Sequence, residues 1–171
     1  MALRFYRRLL QAGVSSAELW NNLGLCCFHA GQYDLTLGCF ERALALADDA
    51  AAPDCWFNIG HVALGIGDLS LAFQAFKVAT ACDPGHSESL CNLGVLELRK
   101  GRADQARAAY AAAGRAAEWM FEPAFNAALL ANRAGDYQEA FKQATAALAA
   151  YPGHGDSEEL LKELRQHFSS L

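Results

Sequence analysis

Four asparagines, Asn22, Asn58, Asn92 and Asn126, recur at spacings of 36, 34 and 34 residues, in the related stretches "WNNLG", "WFNIG", "LCNLG" and "AFNAA". A side-chain amide offers a carbonyl acceptor and an NH2 donor, which match the N–H and C=O of an extended peptide. A row of such amides would hold a partner's backbone whatever its side chains. On a helix, residues three and four apart share a side, so each asparagine brings companions. With Asn22 go Glu18, Leu25 and His29, flanked by Asn21 and Phe28; with Asn58 go Asp54, Phe57, His61 and Leu64. Asn92 groups with Glu88, Cys91, Val95 and Arg99, and Asn126 with Glu122, Phe125, Leu129 and Arg133. In this reading Leu25, Phe57, Phe125 and Leu129 supply apolar contact, while Arg99 and Arg133 meet acidic side chains. The competing reading is that the amides only solvate a curved surface, and the sequence leaves both open.

Other reactive residue types form no comparable pattern. His29 and His61 fall near Cys26, Cys27 and Cys55, but no third orienting group or oxyanion hole stands at a recognisable spacing. No catalytic residue is assigned, and the chain is expected not to be an enzyme. The six cysteines show no CxxC pair, so neither a metal site nor a cofactor is expected. Most lie in Ala-rich helical contexts, where a free thiol acts as a small buried apolar group in a reducing compartment. The glycines of "GHVALGIGD" run through a helix and its turn, not through the strand–loop–helix of a phosphate cradle.

The elements that carry these residues are helices. The chain has 171 residues, 53% apolar and 19% charged, enough for a core and without the composition of disorder. Its net charge of -5 is the opposite of a nucleic-acid binder's balance. No apolar run reaches the length of a membrane span, and the basic stretch Arg4, Arg7 and Arg8 reads as a solvated helix face. Self-similarity then fixes the arrangement. From Trp20 the chain reads W-x2-L-G-x2-C, followed by Gly31, Tyr33 and Thr36-x3-Phe40; from Trp56 it reads W-x2-I-G-x2-A, then Gly67, Ala72-x3-Phe76 and Pro84. Leu90 opens L-x2-L-G, then Gly101 and Ala106-x3-Tyr110; Ala124 opens A-x2-A-A, then Gly135, Tyr137, Ala140-x3-Ala144 and Pro152.

This pattern resembles the tetratricopeptide repeat, whose period is about 34 residues. The resemblance implies an all-α, right-handed superhelical solenoid: four full repeats, a preceding half-repeat helix and a C-terminal capping helix. Repeats are expected at 17–50, 53–86, 87–120 and 121–154, with residues 1–14 as helix B of a preceding repeat and 155–171 as the cap. Within each repeat, Gly24, Gly60 and Gly94 on helix A and Ala72, Ala106 and Ala140 on helix B let the backbones approach. Phe40, Phe76 and Tyr110 are expected to fill the space toward the next repeat. Gly31, Gly67, Gly101 and Gly135 end helix A with positive φ, and Pro84 and Pro152 stop helix B. Gly114 marks a junction near 114–122 where the chain could bend. Asp156 or Ser157 is the expected N-cap of the last helix. The half-repeat "MALRFYRRLLQ", lacking its own helix A, suggests a piece of a longer protein.

In such a solenoid helix A lines the inner face, so the four asparagines become groove residues. The two-carboxylate clamp of chaperone adaptors needs lysine or arginine near the start of helix A. Glu18, Asp54, Glu88 and Glu122 occupy that slot here, and they would repel a carboxylate. Helix dipoles also favour acidic residues there.

The stretches "ALRFYRRLLQ", "NNLGLCCFHAGQYDLTLGCFERAL", "GHVALGIGDLSLAF", "LELRKGRADQARA" and "LKELRQHF" resemble, more closely than the repeat consensus, the tetratricopeptide subunits of the BBSome. That complex is a coat that carries membrane proteins in cilia. The resemblance implies a non-catalytic scaffold in the cytoplasm, cilium and basal body. It also implies as partners other BBSome subunits, including a small extended subunit threaded through the superhelix, with an indirect link to an Arf-like GTPase and ciliary membrane cargo. The alternatives are a stand-alone peptide-binding adaptor and the substrate-capturing arm of a larger enzyme.

Overall fold

A computed structural model describes residues 2–170, so the expected end residues Met1 and Leu171 lie outside the described residues. The described residues form ten α-helices, which pack as two compact units that meet in sequence at Pro84 and Gly85.

The first unit holds α1 (Ala2–Gln11), α2 (Ala17–His29), α3 (Tyr33–Leu46), α4 (Ala52–Ile66) and α5 (Leu69–Cys82). The hairpins α2–α3 and α4–α5 form its body, with α4 also resting on α2 and α3, and α1 on α2. Ser16 caps α2, its hydroxyl accepting from the Leu19 N–H at 3.2 Å, and Asp68 caps α5, its carboxylate accepting from the Leu71 N–H at 2.9 Å. No residue of α1 is fully buried; Leu3, Tyr6 and Leu10 rest on the Leu23, Cys27 and Cys39 cluster.

The second unit holds α6 (Ser87–Arg99), α7 (Ala103–Ala116), α8 (Glu122–Arg133), α9 (Tyr137–Ala150) and α10 (Gly155–Ser169). Its hairpins are α6–α7 and α8–α9, and α10 closes on α9. Leu160, Leu161 and Leu164 of α10 cover Ala128, Ala131, Ala140 and Ala144. α7 runs through Gly114 to Ala116. α10 begins earlier than its sequence suggests. His154 is the N-cap, and the expected caps Asp156 and Ser157 lie in the first turn, where the buried Ser157 hydroxyl meets His154 Nδ1 at 2.7 Å.

Within each unit the small–large pattern is a direct fit. Gly31, Gly67, Gly101 and Gly135 have φ of 70°, 85°, 75° and 78° at the hairpin turns, a region open to glycine at little cost. A Cβ on Gly60 would lie 2.6 Å from the Phe76 ring, and one on Gly94 would lie 2.5 Å from the Tyr110 ring. Each ring therefore lies over the glycine of its own hairpin, where the sequence pattern alone points it toward the neighbouring repeat. The last hairpin uses the reverse solution: Ala128 replaces the glycine, Ala144 replaces the ring, and both are fully buried.

Candidate functional site

The asparagines occupy equivalent positions on α2, α4, α6 and α8, but their surroundings differ. Asn22 is exposed and Asn58 half-buried. Beside Asn58, the Phe57 ring stacks near His61, centroids 6.3 Å apart, and tilts against Phe76 at 5.8 Å. Leu25 is half-buried, and His29 and His61 are exposed. Phe28 turns away from a purely solvent-facing role: its ring fills the space a side chain on Gly65 would need, 2.7 Å from that Cβ, and it meets Tyr33 at 5.8 Å.

In the second unit the amides are partly engaged. Asn92 Nδ2 donates to the Glu88 carbonyl at 2.9 Å, and Asn126 Nδ2 donates to Cys91 Sγ at 3.4 Å, tying α8 to α6. An NH2 group carries two hydrogens, so one donor and the carbonyl oxygen of each amide remain for a ligand. Val95 is half-buried and packs beside Cys91 and Tyr110, and Arg99 and Arg133 are exposed. Phe125 and Leu129 pack against the cluster closed by α10, with the Phe125 ring edge-on to His154 at 4.7 Å. Both side chains are half-buried, so part of each still faces solvent.

Three of the cysteines are poised against nucleophilic chemistry. Burial pushes the Cys55 thiol up to about 11, helped by the nearby Asp54 and Glu18 carboxylates. Burial likewise raises Cys91 to about 11 against the opposing Asn126 hydrogen bond, and raises Cys39 to about 11 beside Cys27. A reactive cysteine needs the reverse shift. Burial also pushes the Tyr110 phenol up to about 12. Among the described residues, no three His, Cys, Asp or Glu side chains converge closely enough to hold a metal ion, and no helix is long and apolar enough to cross a membrane.

Three features are not visible in the sequence pattern. Asp48, in the loop after α3, approaches Glu18 of α2 and lines a cavity with it; the "DD" ahead of Ala52-Pro53 signals a helix cap but not this meeting. A cavity of about 560 Å³ opens between α7, α8 and α9 over Tyr110, Met120, Pro123 and Ala127, where alanines leave room that larger residues would fill. Trp119 lies in the α7–α8 loop with 73% of its surface exposed.

Residues 15–84 match a family model described as tetratricopeptide repeat, and residues 75–108 match a second model of the same description, together more than half of the chain. Tetratricopeptide repeat protein 8 of Caenorhabditis elegans is 43% identical over 171 residues, which is 100% of this chain and 34% of that protein. The Homo sapiens protein of the same name is 52% identical over 131 residues, 76% of this chain and 24% of that protein. BBSome complex member BBS4 of Bos taurus is 29% identical over 146 residues, 84% of this chain and 27% of that protein. The chain therefore spans about a third or less of the length of these relatives. Among solved structures, the APC/C hetero-tetramer Cut9–Hcn1 superposes with a TM-score of 0.75 at 18% identity, covering 93% of this chain and 32% of that one.

Proposed function

The chain belongs to the tetratricopeptide repeat family, and from that premise we propose that it is a non-catalytic interaction scaffold, part of a BBSome subunit akin to tetratricopeptide repeat protein 8. One observation carries the proposal. The fold persists at 18% identity in a solved relative, whereas the worm protein matches the full chain at 43%. Helix pairing demands only the small and large residues at the hairpin contacts, so identity far above that level supports shared partner surfaces as well as a shared fold.

In this reading the chain joins other BBSome subunits in a coat that traffics membrane proteins to and from cilia. A small extended subunit lies along the A helices, with Asn22 and Asn58 in one unit and Asn92 and Asn126 in the other meeting its backbone. The Arf-like GTPase and the ciliary cargo are reached through the assembled coat. The test is affinity purification of the full-length protein from ciliated cells with mass spectrometry, alongside the double variant Asn58→Ala/Asn92→Ala. A backbone hydrogen bond contributes about 1 kcal/mol net, so the pair is worth about 2 kcal/mol, a roughly thirtyfold loss of affinity. The expected result is recovery of coat subunits with the unaltered protein and loss of the extended subunit from the variant. Recovery of chaperones or a single peptide cargo without coat subunits overturns the proposal.

A further inference from the structure

The cavity of about 560 Å³ between α7, α8 and α9 lies within the second unit, and its lining includes neither Asn92 nor Asn126. The repeat register explains the space. Gly114, Ala124, Ala127 and Ala146 line it, and the equivalent positions two repeats earlier hold Leu44, Trp56, Ile59 and Val78. Those four are half-buried in the first unit. An indole and three branched chains at one junction are thus reduced to three methyl groups and a hydrogen at the other. The floor that remains is made of Tyr110, Met120, Pro123 and Ala131, all buried. Gly114 lies inside α7 without a positive φ, and a Cβ there would find its nearest neighbour, Pro123, at 4.0 Å. Neither a turn nor a close approach calls for glycine, in contrast with Gly60 and Gly94. A glycine inside a helix forgoes about 1 kcal/mol against alanine, so α7 gives up stability where the space is kept open.

The chemistry of the lining narrows what fits. Met120 offers a sulfur, which is attracted to aromatic rings. Arg107 and Arg115 bring two guanidinium groups to the mouth, and these favour the face of an indole over an aliphatic chain. Arg115 makes no ion pair among the described residues, and Arg107 holds only the exposed Asp104, at 3.0 Å. Across the mouth, Gln143 Nε2 donates to Glu139 at 2.7 Å, which leaves the Gln143 carbonyl oxygen for an indole N–H. Trp119, with 73% of its surface exposed, stands in sequence between the lining residues Glu118 and Met120 but is not itself part of the lining.

We propose that this cavity receives a tryptophan side chain of a partner protein, in the place that the first junction fills from within by Trp56 and its neighbours. A buried tryptophan is a common energetic anchor of protein interfaces. The inference deepens the scaffold reading and rests on it. It gives the second unit a side-chain-specific contact apart from backbone recognition by Asn92 and Asn126.

The probe is the peptide acetyl-Gly-Trp-Gly-amide, titrated into the 171-residue chain and followed by two-dimensional amide NMR. Saturable shifts are expected at the backbone amides of Gly114, Ala124 and Ala127 and at the Gln143 side-chain NH2. The leucine analogue acetyl-Gly-Leu-Gly-amide should bind at least tenfold more weakly. Ala124→Trp, which copies Trp56, and separately Gly114→Leu, which copies Leu44, should fill the space and each weaken binding of the tryptophan peptide at least tenfold. Circular dichroism checks that both variants fold, and the peptide series on the unaltered chain decides even if neither does. Absence of saturable shifts, an equal response to the leucine peptide, or unchanged binding by both folded variants overturns the proposal. Self-association in sedimentation velocity that Trp119→Ala abolishes makes a second copy of the chain the occupant and also overturns it. Coat-subunit capture from ciliated cells is read separately. Capture without tryptophan-peptide shifts overturns the cavity proposal alone; saturable shifts without capture overturn the coat reading alone.

Discussion

Adding one methyl group to Gly60 tests how this chain pairs its helices. The new Cβ would lie 2.6, 2.8 and 2.9 Å from three carbons of the Phe76 ring, about 1 Å inside the ordinary carbon–carbon contact distance. Phe76 is fully buried and also packs against Phe57, so it has little room to withdraw. Overpacking of this kind costs about 1–3 kcal/mol. Against it stands the gain of replacing a helical glycine by alanine, about 1 kcal/mol. Gly60→Ala should therefore destabilise by up to about 2 kcal/mol net, and Gly94→Ala, 2.5 Å from Tyr110, by a similar amount. Gly24→Ala meets Phe40 only at 3.2 Å and should come out near zero. Gly38, in α3 with nothing within 4 Å, keeps the propensity gain alone, so Gly38→Ala should stabilise by about 1 kcal/mol. Urea unfolding followed by circular dichroism measures all four. In addition, Phe76→Leu in the Gly60→Ala background should recover part of the loss, a coupling of at least about 0.5 kcal/mol. If Gly60→Ala equalled Gly38→Ala, or if the ring change gave no coupling, close approach over the glycine would not be what limits the fit.

Four further outcomes follow from the same geometry. Gly67→Ala places a side chain at φ 85° with no steric neighbour, so its cost is backbone strain alone, about 1–2 kcal/mol in the same unfolding assay. The Cys39, Cys55 and Cys91 thiols, raised from 9.0 to about 11, stay protonated in the fold while the unfolded chain ionises. The unfolded state then binds fewer protons, so stability should fall as pH rises from about 9 toward 11, read as a declining urea midpoint; a flat profile refutes it. An aromatic disulfide reagent should label exposed Cys82 quickly and buried Cys55 and Cys91 only on unfolding. Ser157→Ala removes the 2.7 Å contact with His154 and should cost about 1 kcal/mol in unfolding.

The helical repeat was legible in the sequence because it is local chemistry repeated. Glycine at the hairpin turns, small residues facing large ones and apolar spacing along each helix all act within a few tens of residues. Each helix pair mainly answers to its own two helices, so a periodic sequence specifies a periodic fold. What the sequence could not decide is how equivalent positions differ. Asn21 and Asn22 are adjacent, yet one is buried with an unpartnered carbonyl and the other exposed. Asn92 turns its donor to its own helix and Asn126 to Cys91 on another. Phe125 and Leu129 share the Asn126 side of their helix, and the structure leaves both half-buried beside the cluster that includes the α10 leucines. Asp48 meets Glu18 from 30 residues away in sequence. These outcomes depend on helix approach and on side-chain rotamers at each contact, which no spacing rule carries. Periodicity specified the scaffold, and only tertiary packing decided how the repeated amides differ in burial and bonding.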